Sequence, residues 1–140
     1  MKAFSLLGLR ITTGILLIIW GSIKLAAPEV ASSVSDRYYA GLISADSLHT
    51  PIGVAQIGLG ALVILGLFRK FIYPIQAVVL VGSALAIWQY LIDPLGLYLL
   101  DEESRRTLFF PSSTVAFATL VLLAFKENDT LSVDHKFLNK

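Results

Sequence analysis

Arg10-Ile-Thr-Thr-Gly-Ile-Leu-Leu-Ile-Ile-Trp-Gly-Ser-Ile-Lys24 is the stretch that decides how this chain folds. Thirteen uncharged residues lie between its two cations, and the apolar run extends outward to Phe4 and Ala27. A helix needs about 20 apolar residues to cross a bilayer, and this stretch supplies them. At 3.6 residues per turn, Arg10, Gly14, Leu17, Gly21 and Lys24 fall on one narrow stripe. Lipid would not be met by two cations and two glycines, so the stripe is expected to face other helices or a polar cavity. Function is then sought on that inner face.

The remainder of the chain agrees. Of its 140 residues, 56% are hydrophobic and only 15% charged, with a mean hydropathy of +0.75. A soluble domain of this size needs more polar surface than that. Four apolar segments stand out: 4–27, 52–68, 71–92 and 108–125. They predict an all-α fold, an integral membrane four-helix bundle forming one domain over residues 1–125, followed by a polar tail at 126–140. The first segment is expected to be retained rather than cleaved as a leader. Arg10 interrupts it, Lys24 closes it, and Pro28 after Ala26-Ala27 is poor context for cleavage.

Charge sets the expected orientation. With an even number of spans, Lys2, Arg10, Arg69, Lys70, Lys126, Lys136 and Lys140 share a side with both termini. Lys24, Arg37, Arg105 and Arg106 lie opposite, among seven acidic residues. Both termini are therefore expected in the cytoplasm, with loops 28–51 and 93–107 outside. Arg69-Lys70 is the expected turn of a helical hairpin. A short interfacial helix is expected in the first outer loop. A second is expected after Asp101, where Asp101 with Arg105 and Glu102 with Arg106 stand four apart.

Net charge is +1, so nothing points to nucleic acid. Cysteine is absent, which removes dithiol chemistry and thiolate-held clusters from the chain itself. Gly53, Gln56 and Gly60 share one face of the second span, and Gln76, Ser83 and Tyr90 one face of the third. For Gln76 and Ser83 the favoured reading is interhelical hydrogen bonding. Arg10 and Lys24 stand about 21 Å apart along their helix, too far to clasp one small ligand together. Lys24 is expected to pair with Asp93 or a bound anion. Arg10 is expected to meet backbone carbonyls, lipid phosphate or the tail.

Trp88, Gln89, Tyr90 and Asp93 cluster where the third span exits, at a depth similar to Trp20 and Lys24 on the first. Each tryptophan alone reads as belt. Taken together with His49 and Gln56, the group suggests an amphipathic, aromatic-walled pocket for a quinone headgroup or a lipid. The candidate ligand-binding residues are Lys24, Trp20, Gln56, Trp88, Gln89 and Asp93. Arg10, Gly14, Gly21 and Gly60 are the structural or partner-facing set. No residue set points to a metal site, a nucleophile with its base, or a phosphate loop.

Arg10-Ile-Thr-Thr-Gly14, with Gly21 seven later and Lys24 three after that, resembles the opening signature of the DoxX-like membrane family. Gln56 with Gly60, continued by Ala61-Leu-Val-Ile-Leu-Gly66 and Leu67-Phe68-Arg69, resembles its second signature. The resemblance covers residues 6–70. It implies a four-helix bundle in a bacterial-type inner or plasma membrane. It also implies kinship with the small subunit of thiosulfate:quinone oxidoreductase and with membrane partners of superoxide- and thiol-handling enzymes. One position departs: the family usually places Glu where this chain has Gln56, and a neutral amide cannot relay protons. The function expected is a non-catalytic subunit or accessory of a quinone-linked redox complex, with a quinone as the one candidate cofactor. Its expected partners are the bilayer and either a membrane redox protein or further copies of itself. The alternatives are a small-molecule membrane enzyme or carrier, and an assembly factor acting through Arg10, Lys24 and the tail.

Overall fold

A computed structural model describes residues 1–41, 46–101, 103 and 107–137. Helix α1 (Lys2–Ala26) contains the opening stretch. It ends because Pro28 follows: Ala27 is driven out of the helical region, to φ −144 and ψ 67. Pro28, whose missing N–H costs little in a first turn, then opens α2 (Pro28–Tyr38). This helix occupies the loop in which a short interfacial helix is expected. Helix α3 (Asp46–Leu65) begins six residues before the expected span, and the added turns carry His49. Helices α4 (Arg69–Ala86) and α5 (Trp88–Ile92) follow, then a 3-10 turn at Thr107–Phe109 and α6 (Pro111–Ala124). A second 3-10 turn, Lys126–Asn128, leads to the short α7 (Val133–Phe137). No strand occurs among the described residues.

Among the described residues, three helices are long and apolar enough to cross a membrane: Lys2–Ala26, Ser47–Leu65 and Thr107–Ala124. The third expected span, 71–92, is divided at Ile87, whose φ of −103 and ψ of 25 end α4 before α5 starts. The hairpin turn also sits earlier than expected. Gly66, at φ +66, closes α3, its N–H bonding the Val63 carbonyl while the Leu67 N–H reaches Leu62. That pair of bonds is the Schellman ending, which favours glycine at the left-handed position. Arg69 and Lys70, the expected turn, are instead the first residues of α4. Glu102, Arg105 and Arg106, on which the expected pairs Asp101–Arg105 and Glu102–Arg106 depend, lie outside the described residues.

Packing begins with α1 against α3. Gly14 faces Gly60 and Gly21 faces Gly53 so closely that backbone touches backbone. A Cβ on Gly60 would stand 2.5 Å from the Gly14 carbonyl oxygen, and one on Gly53 2.9 Å from that of Gly21. Small residues permit this approach, which dispersion and close packing then reward. Helix α4 packs chiefly on α6. The two helix pairs meet over Leu6, Val63, Ile72, Tyr73 and Leu122. Gln76, fully buried, donates from Nε2 to Thr13 Oγ1 at 2.7 Å and ties α4 to α1. The stripe on α1 is turned inward: Arg10, Gly14, Leu17 and Gly21 are all buried. Opposite them, Ile11, Ile15 and Ile19 are exposed, as a lipid-facing row should be.

Candidate functional site

The two ends of the bundle differ in chemistry. At the end where α1 starts and α6 finishes, Arg10 is 2% exposed and would be prohibitively placed without an acid. Its guanidinium Nη1 donates to both carboxylate oxygens of Asp129, at 3.1 and 3.3 Å, and Nη2 donates to the Leu131 carbonyl at 3.2 Å. The Tyr73 hydroxyl donates to the same carboxylate at 2.5 Å. Asp134 accepts the N–H groups of Phe68 and Arg69 at 3.0 and 2.8 Å, capping α4, and lies 3.8 Å from the Arg69 Nε. The tail thus folds back over the bundle from Lys126 to Phe137. Of the candidates for Arg10, the tail supplies both the charge and a carbonyl. This end is a structural cluster of paired charges, closed except that the buried Arg10 Nε has no hydrogen-bond partner among the described residues.

The other end, where α1 finishes and α3 starts, holds a cavity of about 390 Å³. Helix α1 contributes Leu17, Trp20 and Lys24, α3 contributes His49 and Gln56, and α4 contributes Leu80, Ser83 and Ala84. Tyr39 after α2, Phe109 in the 3-10 turn and Ser112 of α6 complete the wall. It is mostly apolar, with a few polar groups converging, the usual make-up of a small-molecule site.

Among the described residues, three of those polar groups are left with unmet hydrogen-bonding or charge-pairing capacity. His49 is 1% exposed; its Nε2 lies 2.8 Å from Ser32 Oγ, but its Nδ1 has no hydrogen-bond partner among the described residues. The buried Oε1 of Gln56 likewise has none. Lys24 is half-buried with no ion pair among the described residues, its Nζ 5.9 Å from the Trp20 ring centroid. Buried polar groups without partners cost about 1–3 kcal/mol each, so such atoms mark where a ligand or ordered water would be held. Burial pushes the Tyr39 phenol above its ordinary value, which keeps it a neutral hydrogen-bonding group.

Of the six expected ligand residues, three line this cavity: Lys24, Trp20 and Gln56. Trp88, Gln89 and Asp93 do not. The break at Ile87 leaves Trp88 and Gln89 exposed on α5. Tyr90 joins Tyr38 and Phe109 in an aromatic triad with ring centroids 4.8 to 5.4 Å apart. Asp93, expected opposite Lys24, is 3% exposed and bound instead to the backbone of its own loop. In the sequence Ser83 reads as packing, and no spacing marks Tyr39, Ser112 or Phe109 as site residues. Only their meeting across four elements makes them a wall.

No curated protein and no solved structure matches the chain. The sequence model of the DoxX family matches residues 5–89, from the start of α1 to the beginning of α5. That span contains Lys24, His49, Gln56 and Ser83 but none of the acids that close the terminal end. With more than half of its length matched, this chain belongs to the DoxX family of membrane proteins.

Proposed function

We propose that the protein is a non-catalytic membrane subunit or accessory of a quinone-linked redox complex, and that its cavity holds a quinone head or a lipid of similar shape. The observation that carries this reading is that, among the described residues, His49 Nδ1 and Gln56 Oε1 have no hydrogen-bond partner and the Lys24 ammonium has no ion pair, all three lining one mostly apolar cavity. A quinone fits that set. Its ring carbonyls accept hydrogen bonds from an ammonium or imidazole N–H, and the hydroxyls of its reduced form donate to an amide oxygen. Trp20 and Phe109 offer flat walls for the ring. A bound quinone would supply two-electron redox chemistry; this chain's residues bind and orient it.

In this reading α4, continued by α5, is the third of four membrane crossings, both termini are cytoplasmic, and residues 1–125 form the domain that the tail closes. The exposed apolar row Phe71, Ile75, Val78 and Leu85 supports a lipid-facing α4. A carrier would need a path past the midplane, and the contact of Gly14 with Gly60 leaves none between α1 and α3. The accessory reading is the stronger for that reason.

The test is photolabelling of the vesicle-reconstituted chain with an azidoquinone. Label should concentrate on peptides of α1 and α3, fall on competition with unlabelled quinone, and drop several-fold in Lys24→Met and Gln56→Leu. Label spread evenly over lipid-facing helices, indifferent to competitor, would sink the quinone site. Repeated purification from native membranes without any redox protein would sink the accessory role.

A further inference from the structure

Residues 94–100, Pro-Leu-Gly-Leu-Tyr-Leu-Leu, form no regular element, yet they present their apolar side chains outward. Leu95, Leu97 and Leu99 are more than half exposed and Tyr98 is 88% exposed. In water such a patch is a liability. In lipid the side chains are at home, but irregular backbone is not, because each unsatisfied N–H costs several kcal/mol there.

Asp93 removes that obstacle for every N–H of the loop but that of Leu95. Its Oδ1 accepts the N–H of Leu97 at 2.8 Å. Its Oδ2 accepts those of Tyr98, Leu99 and Leu100 at 2.8, 2.7 and 3.1 Å. The Gly96 N–H bonds the Asp93 carbonyl at 3.2 Å, and Pro94 has no N–H to satisfy. One residue therefore holds every backbone donor from Gly96 to Leu100. A carboxylate cannot serve carbonyl oxygens, which are left to water and headgroups. That combination suits the boundary between headgroups and acyl chains, not the midplane.

The surroundings point the same way. Phe71, Ile75, Val78, Leu85 and Ile92 run exposed along α4 and α5 and lead into the loop. Trp88 is half-exposed beside them. Tyrosine and tryptophan at the end of a lipid-facing row are the side chains that settle at a membrane interface. The loop offers no charge and no directional side chain other than the Tyr98 hydroxyl for a protein partner to read.

We propose that loop 94–100 is a membrane-inserted foot, seated at the headgroup–acyl boundary of the leaflet at this end of the bundle, and that Asp93 makes its backbone compatible with that depth. The proposal needs only the membrane, and stands whether or not the cavity holds a quinone.

The chain has no cysteine, so Tyr98→Cys accepts a single environment-sensitive fluorophore. In vesicles of phosphatidylcholine and phosphatidylglycerol, a nitroxide near the top of the acyl chain should quench it several-fold more than aqueous iodide does. A nitroxide at the chain terminus should quench it less than the shallow one. Strong iodide quenching without lipid quenching overturns the insertion, as does protection that appears only when a second protein is added. This arm leaves Asp93 intact and decides the insertion by itself. Adding Asp93→Asn, which offers one acceptor oxygen where two serve now, should raise iodide access several-fold. A label at Val78→Cys should keep its deep quenching pattern in the same variant. Unchanged depth at Tyr98→Cys with Asp93→Asn overturns the role of Asp93, and so does loss of the Val78 pattern.

Discussion

Arg10 shows what one residue can demand of a fold. Its guanidinium is buried, and the hydrogen bonds to Asp129 and Leu131 return what desolvation removes. Asp129 is itself fully buried and also receives the Tyr73 hydroxyl, so the two charges are held in one network. Breaking a buried pair from one side leaves the other charge stranded, typically at about 3–5 kcal/mol. Asp129→Asn should therefore lower stability by about 3 kcal/mol. Thermal unfolding in detergent, followed by helical circular dichroism, measures it. Adding Arg10→Met should recover a large part of the loss, because no charge is then left without a partner; a double variant as unstable as the single would argue that Asp129 acts through other contacts. In the sequence, Arg10 was legible as inward-facing from its stripe with Gly14 and Gly21. Its acid was not, since 119 residues separate the two and nothing local distinguishes Asp129 from a solvated tail residue.

Among the elements, legibility follows how local the deciding physics is. The end of α1 and the start of α2 could be read from Pro28, and the helices themselves from apolar length. The α3–α4 turn could not. Its position depends on Gly66 and on Asp134 capping the first N–H groups of α4 from 65 residues away. The break at Ile87 was equally hidden, with no proline or glycine to mark it. Asp93 reads in the sequence as a partner for Lys24, because nothing there reveals that four backbone N–H groups converge on its carboxylate. Burial raises the Asp93 carboxyl pKa, but the N–H groups of Leu97, Leu99, Tyr98 and Leu100 outweigh it and hold the group well below the ordinary carboxylate range. The sign follows. A carboxyl held down in the folded state contributes stability that is full above its unfolded value and is lost only as pH falls through the lowered one. Hydrogen-exchange protection of the amides from Leu97 to Leu100 should therefore persist at mildly acid pH and disappear only in strong acid. Loss at the pH where an ordinary aspartate protonates would mean that the carboxylate is not what holds the loop.

At the scale of the whole molecule, the chain joins two helix pairs and treats their ends oppositely. The tail seals the terminal end with paired charges, while the other end keeps a cavity whose polar atoms are not all satisfied. The family match runs through α1, α2, α3 and α4, and with them most of the cavity wall, but stops short of the loop, α6 and the tail. The opening stretch predicted an inner face, and Trp20, Lys24 and Gln56 do line one cavity; the walls from α2 and α6 follow from tertiary packing that no spacing encodes. Between cavity and seal lie Gln76, fully buried against Thr13, and the closed Gly14–Gly60 seam. Water should thus reach one end only. With no native cysteine, Ser83→Cys, on the cavity wall, and Gln76→Cys, two turns deeper on α4, can be compared directly. A membrane-impermeant maleimide should label Ser83→Cys when applied to the side bearing loop 93–107, and should leave Gln76→Cys unlabelled from either side. Labelling of Gln76→Cys, or of Ser83→Cys from both sides, would reveal a continuous aqueous path. The blind cavity that favours a binding subunit over a carrier would then give way to a route through the bundle.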